Sequence, residues 1–516
     1  MNGAKQKSTQ SGPRNIVIFS DGTGNSANKD RGTNVFKLYE ALDLQGHLRD
    51  KTLTEQIAFY DDGVGTESWK PLRMLGGAFG WGLSRNVKQL YTDVVRIYKP
   101  GDRIFLFGFS RGAFTVRTLA GFITSCGILD YKRYDTEREL TAAVEAAYEV
   151  YRKKYMTGAH RDLLALRDKL QRKDKLLKTP SPFEMRVAAF RRTEEVLPGK
   201  VAFIGAWDTV DAVGMPFAGL AGFINYFIYP FKFADHGLDK NIDFARHALS
   251  IDDERFTFHP LMWDEKPGDA KRIRQVWFAG VHSNVGGGYP KQGMSLVALA
   301  WMMAEAKPCG LRAIVSDREF YDEHQNVNDK LYNSRAGVAV YYRYKPRDIH
   351  AMCAKANIQP VIHESAIDRV AKRTEGYAPG NLPNGLKIEA TGGRPTRFPD
   401  AAAVIERAYG SDTSLLDRVK PWVWVRRAAH FFYVLATVLA LWLALKEQAA
   451  EIGWWDALTK LFSGDVFSVV WSALTSNVYF DVTLAAVGIF FAVGLMAERC
   501  MRDVFSAFWH EVGPKL

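Results

Sequence analysis

An apolar strand that runs into Gly-x-Ser-x-Gly and restarts at once as a helix is compatible with few folds. Residues 103–117 read RIFLFGFSRGAFTVR, with Gly108 and Gly112 flanking Ser110 at the turn. A strand without polar alternation is buried on both faces, the signature of a parallel sheet covered by helices. The same rhythm recurs along the chain. RNIVIFS (14–20) reads as a first buried strand followed by the loop DGTGN (21–25), and QIAFYDDGVGT (56–66) as a second strand ending in turn residues. KVAFIGAWDTV (200–210) and RIRQVWFAGVHSNVGGGY (272–289) read as later strands, the last with a glycine-rich exit. Helical periodicity is expected over 87–98, 111–125 and 293–306, and GGAFGWGLSRN (76–86) reads as a glycine-rich loop, either a flexible lid or a turn. The expected class is α/β: an α/β-hydrolase-like, mostly parallel sheet with helices on both faces.

At 516 residues the chain exceeds one ordinary compact domain, so a large domain with additions is expected. Residues 1–13 read as a disordered basic arm with no apolar core, which is not a secretory signal peptide. Residues 14–344 carry the strand–helix rhythm, interrupted by a charged helical insertion at about 131–199. Residues 345–420 show no periodic pattern and read as an irregular extension and linker. Residues 421–516 contain two apolar runs, 428–445 and 478–497, and an apolar run of about 18 or more residues can span a bilayer. Four widely spaced cysteines, with no Cys-x-x-Cys pair, argue against a zinc site or a disulfide framework. The net charge of +11 favours anionic surfaces, lipid headgroups or nucleic acid.

A serine hydroxyl attacks only when an adjacent base takes its proton. In the α/β-hydrolase arrangement the acid and the histidine follow later strands, in the order Ser, Asp or Glu, His. Asp208 stands directly after VAFIGAW and His282 at the end of QVWFAGV. Each is where a parallel strand delivers its carboxyl-end residue into a site. His282 would take the Ser110 proton and return it to the leaving group, and Asp208 would orient the imidazole. Asp211 is a rival acid three residues further on. The oxyanion donors expected are the backbone N–H of Arg111 and an N–H of Gly22 or Thr23 in the DGTGN loop. That loop lacks the Gly-Lys-Ser/Thr of a phosphate-binding P-loop.

Taken together, IVIFSDGTGN, GGAFGWGL, PGDRIFLFGFSRGAFTVRTLAG, GAWDTVDAVG and WFAGVHSNVGGGY resemble the catalytic domain of the type VI secretion phospholipase-effector family. These are bacterial and fungal α/β-hydrolases. The resemblance runs from about residue 14 to about 344. It implies Ser110, Asp208 and His282 as triad, the 21–25 loop beside the oxyanion site, and hydrolysis of glycerophospholipid esters. Asn284 departs from the family pattern, where Asp is expected, and the C-terminal part does not resemble the accessory domains of the longer effectors.

The expected function is therefore a membrane-anchored serine esterase of phospholipase type that works through an acyl-enzyme and needs no cofactor and no metal. An esterase or thioesterase for a soluble acyl substrate, or a non-enzymatic membrane scaffold, is the alternative. The expected partners are a membrane phospholipid substrate and the lipid bilayer, not nucleic acid; no oligomeric state is implied. The apolar stretch 213–233 would serve as an acyl-receiving cap, and the aromatic segment 454–474 as an interfacial helix. Basic residues before the first span (Arg418, Lys420, Arg426, Arg427) and after the second (Arg499, Arg502) imply a hairpin in a bacterial inner membrane, with both ends and the catalytic domain cytoplasmic.

Overall fold

The structure is a computed structural model that describes residues 12–22, 32–62, 77–152, 182–194, 196–211, 237–463 and 466–516. Its centre is an eight-stranded sheet: β1 (Asn15–Ser20), β2 (Gln56–Asp61), β3 (Arg103–Phe109), β4 (Val201–Trp207), β5 (Ile242–Ser250), β6 (Ile273–Phe278), β7 (Val361–His363) and β8 (Lys387–Glu389). The strand order is β2-β1-β3-β4-β5-β6-β7-β8, and every pairing is parallel. The expected α/β class is what forms.

Period-two alternation splits the strands between two cores. Ile16, Ile18, Ile104, Leu106 and Ile204 face one layer of helices. Val17, Phe19, Phe105, Phe107 and Phe203 face the other, where Phe19 stacks on Phe107 at 5.4 Å between ring centres. Because both faces are covered, β1, β3 and β4 carry no polar stripe. The first layer includes the helices Gly77–Ile97, Arg111–Cys126 and Glu137–Arg152, and the second includes Asn34–Glu40 and Gly293–Ala306.

Two expectations along the chain are corrected. The segment read as a glycine-rich loop at 76–86 is helical from Gly77 onward, in one helix that runs to Ile97. Leu83, Val87, Leu90, Tyr91, Val94 and Val95 form a buried stripe at helical spacing, so packing of that face outweighs the low helix propensity of the glycines. The 345–420 extension contributes β7 and β8 to the sheet edge and the helices Glu364–Lys372 and Ala401–Ser411 to its cover.

β5 carries charge where a buried strand should not. Arg246 is 6% exposed and pairs with Glu305 of the helix Gly293–Ala306 at 2.5 Å, while Arg274 of β6 reaches the other oxygen of Glu305 at 2.6 Å. A buried arginine needs such a partner, and the pair hides the strand's apolar pattern from a reading of sequence.

Two long helices, Leu415–Ile452 and Val478–Val512, lie against each other, and both are long and apolar enough to cross a membrane. The helices Trp454–Ser463 and Val466–Ser476 connect them. The ends of the pair return to the second core: Leu415, Phe508, Trp509 and Val512 are buried in the same cluster as Phe107 and Trp277. The indole N–H of Trp509 donates to the Pro379 carbonyl at 2.8 Å.

Candidate active site

The strand order reverses around β1: β2 lies on one side of it and β3 on the other. Ligands bind open α/β sheets at the carboxyl ends of strands beside such a reversal. Ser110 follows β3, Asp208 follows β4 and His282 comes four residues after β6.

Ser110 has φ 59° and ψ −122°, in a region that non-glycine residues rarely occupy. Its N–H donates to the Trp207 carbonyl at 3.0 Å, and the helix Arg111–Cys126 starts at the next residue. The turn is tight enough to dictate its flanks. A Cβ on Gly108 would lie 2.6 Å from the backbone of Gly112. A strained strand-to-helix turn of this kind can lift a side chain to the top of a sheet.

Asp208 also has positive φ, 43°. The N–H of the following Thr209 donates to His247 Nε2 at 3.0 Å, which holds that bend and fixes the acceptor nitrogen of the buried His247. The Asp208 carboxylate is fully buried and accepts five hydrogen bonds. Oδ1 takes the Ser250 N–H at 3.0 Å and Arg347 Nη1 at 2.7 Å. Oδ2 takes the Ser250 hydroxyl at 3.2 Å, Arg347 Nη2 at 2.8 Å and His282 Nδ1 at 2.6 Å. Burial by itself would raise the Asp208 pKa; the Arg347 guanidinium, and after it His282, more than reverse this and hold the carboxyl well below the usual range.

His282 opens the short helix His282–Gly286, and its N–H donates to Asp253 Oδ2 at 3.2 Å. Its ring sits 4.6 Å from that of Phe109 and 5.1 Å from that of Phe258. Its Nε2 is 2.8 Å from Ser110 Oγ. With Nδ1–H donated to Asp208, Nε2 is the acceptor that faces the serine hydroxyl. Burial lowers the imidazole pKa below 6.5, and the Asp208 hydrogen bond offsets part of that. The three residues expected from sequence thus meet in one hydrogen-bonded line.

The family model described as "T6SS, Phospholipase effector Tle1-like, catalytic domain" matches residues 14–305, a stretch that contains all three. The chain belongs to this family. An uncharacterised protein of Saccharomyces cerevisiae is 26% identical over 273 residues, 50% of this chain and 34% of the yeast protein. The chain thus matches about a third of that relative's length. A crystal structure of an uncharacterised protein from Pseudomonas aeruginosa aligns over 78% of this chain and 59% of its own, with 18% identity and a TM-score of 0.34.

Of the expected oxyanion donors, Arg111 and Gly22 lie among the described residues. The Arg111 N–H stands at the amino end of its helix, where the backbone favours negative charge. The Gly22 N–H is turned onto Asp21 Oδ1 at 2.6 Å. Asp21 Oδ2 accepts from Thr33 at 2.6 Å and Tyr60 at 2.7 Å, so this carboxylate organises the start of the loop. Burial raises its pKa to about 6 although these bonds pull the other way. Thr23 and the 213–233 stretch lie outside the described residues. His282 Nδ1 meets Asp208 Oδ2, not the rival acid Asp211, at 2.6 Å. Asn284, where the resemblance led to an expectation of Asp, donates Nδ2 to the Lys330 carbonyl at 3.1 Å, a contact a carboxylate could not make.

Sequence reasoning missed Ser250 and Arg347. Ser250 ends β5, a strand whose charged residues masked it. Arg347 follows Lys345-Pro346 in a segment without periodicity, beyond the family match, and no local signal marks it.

Proposed function

We propose that this protein is a membrane-anchored serine hydrolase that cleaves carboxylic ester bonds of glycerophospholipids through an acyl-enzyme. The observation that carries this reading is His282, whose two ring nitrogens lie 2.8 Å from Ser110 Oγ and 2.6 Å from Asp208 Oδ2.

In the reaction so read, His282 Nε2 takes the hydroxyl proton as Ser110 Oγ attacks the ester carbonyl carbon. Asp208 stabilises the imidazolium that results. The carbonyl electron pair moves onto oxygen, where the Arg111 N–H and the helix end behind it offset the charge. Collapse breaks the ester C–O bond, and His282 returns the proton to the departing alkoxide, releasing lysophospholipid. Water repeats the sequence on the acyl-serine and frees the fatty acid.

The membrane part of the reading rests on exposure. Phe431, Phe432, Leu435, Val438, Leu439 and Trp442 on the first long helix are all at least 40% exposed, as are Val478, Tyr479, Val482 and Ile489 on the second. Core helices of soluble domains bury such side chains, and an apolar surface this continuous favours lipid. Arg426 Nη2 meets Glu498 Oε2 at 3.2 Å, which registers the basic ends of the two helices at one level. By the positive-inside rule that end, and the hydrolase domain with it, is cytoplasmic.

The test is the full chain in detergent, given phosphatidylcholine–phosphatidylglycerol vesicles, with products read by mass spectrometry and the serine probed by a fluorophosphonate. The wild type should release fatty acid and lysolipid and be labelled, and Ser110→Ala should do neither. Cleavage confined to short soluble esters would reject the lipid substrate, and undiminished hydrolysis by Ser110→Ala would reject the serine mechanism.

A further inference from the structure

Arg347 is fully buried, and both prongs of its guanidinium are spent on fixed acceptors. Nη1 donates to Asp208 Oδ1 at 2.7 Å and to the Ser250 carbonyl at 2.5 Å. Nη2 donates to Asp208 Oδ2 at 2.8 Å and to the Phe258 carbonyl at 2.6 Å. Two parallel N–H···O bonds make guanidinium and carboxylate coplanar. That leaves the carboxylate one rotational position, the one in which Oδ2 also receives His282 Nδ1. The two carbonyls hold the guanidinium in turn, so the acid is aimed by a group that cannot itself swing.

The strap that carries Arg347 also reaches the base. Phe256 N–H donates to the Arg343 carbonyl at 3.0 Å and Lys345 N–H to the Glu254 carbonyl at 2.8 Å, so residues 343–345 pair with 254–256. Asp253, the acceptor of the His282 N–H, immediately precedes that ribbon. Asn381 Nδ2 pins the Arg347 carbonyl at 3.1 Å. At the strap's outer end Tyr344 packs with Val419 and Met501 at the base of the long helices, 5.0 Å from the Arg426 guanidinium.

We propose that Arg347 is the positioning residue of this site: its two-pronged contact sets the plane in which the Asp208 carboxylate faces His282. The inference rests on the serine-hydrolase reading. A residue that only filled space or balanced charge would not need the fork. Lysine supplies the charge but only a single prong, and glutamine supplies neither the charge nor the geometry. Among the described residues, the other charged and titratable groups around the Asp208–His282 pair include Arg255, Asp252, Asp253, His247 and His259. They are unchanged in both variants, so a shift in pH dependence reads Arg347.

The experiment is steady-state hydrolysis of p-nitrophenyl butyrate by the full chain in detergent, from pH 5 to 9, for wild type, Ser110→Ala, Arg347→Lys and Arg347→Gln, with melting curves of each. For Arg347→Lys, kcat should fall on the order of 100-fold through misorientation, with KM within about twofold and the acid limb in place. For Arg347→Gln, the Asp208 charge is left to the imidazolium alone, and the acid limb should move up by about one pH unit as well. Wild-type kcat and pH profile in folded Arg347→Lys would overturn the inference. So would a lowered melting temperature with an unmoved limb and unmoved kcat/KM split in both variants. If Arg347→Gln does not fold, the kcat of Arg347→Lys decides. Activity in Ser110→Ala would instead defeat the serine mechanism, and that outcome is read separately.

Discussion

Gly112 lies directly against the carbonyl oxygen of Ser20: a Cβ built on Gly112 would come within 2.0 Å of it and 2.5 Å of the Asp21 oxygen. The end of β1 and the turn at Ser110 are therefore one packed unit, and both obstacles are backbone that cannot rotate away. Gly112→Ala should destabilise the fold by about 1–3 kcal/mol through overpacking. It should also lower hydrolysis about 100-fold, because the elbow shifts relative to His282. Thermal melts and vesicle hydrolysis measure both, and a fully active, equally stable variant would contradict the packing.

In the proposed reaction the pH dependence follows from His282. Only the neutral imidazole can accept the serine proton, and burial holds its pKa below 6.5. Activity should therefore persist as pH falls through about 6.5 and be lost only at lower pH. A kcat/KM profile whose acid limb lies above pH 6.5 would contradict this.

Asp208→Asn should separate chemistry from stability. Loss of the carboxylate should lower kcat about 10⁴-fold, as the imidazolium loses its partner. It also leaves Arg347 buried without a counter-charge, a change that costs about 3–5 kcal/mol. Ser110→Ala, with no buried charge exposed, should melt close to wild type. The Asp208 pKa is depressed in the folded protein, so its stabilisation is present above the unfolded carboxyl value of 3.8 and is lost as pH falls through the folded one. The stability gap between Asp208→Asn and wild type should accordingly narrow in strong acid. Denaturant titrations at neutral and strongly acidic pH test the sign.

Trp509 ties the last helix to the second core of the sheet. It is fully buried, and Tyr409 and Phe508 lie within 6.4 Å and 5.0 Å, ring centre to ring centre. Trp509→Ala should cost about 3–5 kcal/mol. The same loss should lower the melting temperature of hydrolase activity, although Trp509 is remote in sequence from Ser110. A melt unchanged from wild type would show that the helix end is not part of the core.

The outward face of the first long helix should be read by lipid. Leu435 and Leu439 are 52% and 45% exposed. Replacing both with arginine should oppose insertion by about 2.5–3.5 kcal/mol each. Carbonate extraction of membranes should then release a substantial fraction of the double variant, while wild type stays in the pellet. Equal retention of both would argue that this face does not meet hydrocarbon.

Much of the scaffold was legible because it depends on local pattern. The runs IVIFS, IFLFGF and VAFIGAW are apolar without alternation, and that is enough to call buried parallel strands. The glycines beside Ser110 announce a cramped turn, and Asp208 and His282 are visible because strand ends are visible. β5 was not, since Arg246 and His247 look like surface residues until Glu305 is placed beside Arg246 and the Thr209 N–H beside His247. The helix at Gly77–Ile97 was read as loop because glycine propensity is local, whereas the burial of Leu83 and Val87 is not.

By itself, then, the sequence determined the layer architecture, the two apolar helices, and the order in which serine, acid and histidine are delivered, since all of these are set by residues near one another in the chain. Tertiary structure alone decided that Asp208 faces His282 through a fork from Arg347, and that Gly22 turns its N–H onto Asp21. It also decided that Trp509 closes the core. Asp208 and Arg347 lie 139 positions apart. A buried ion pair of that separation exists only once sheet, strap and helices have excluded water from between them, and no local pattern in the chain encodes that exclusion.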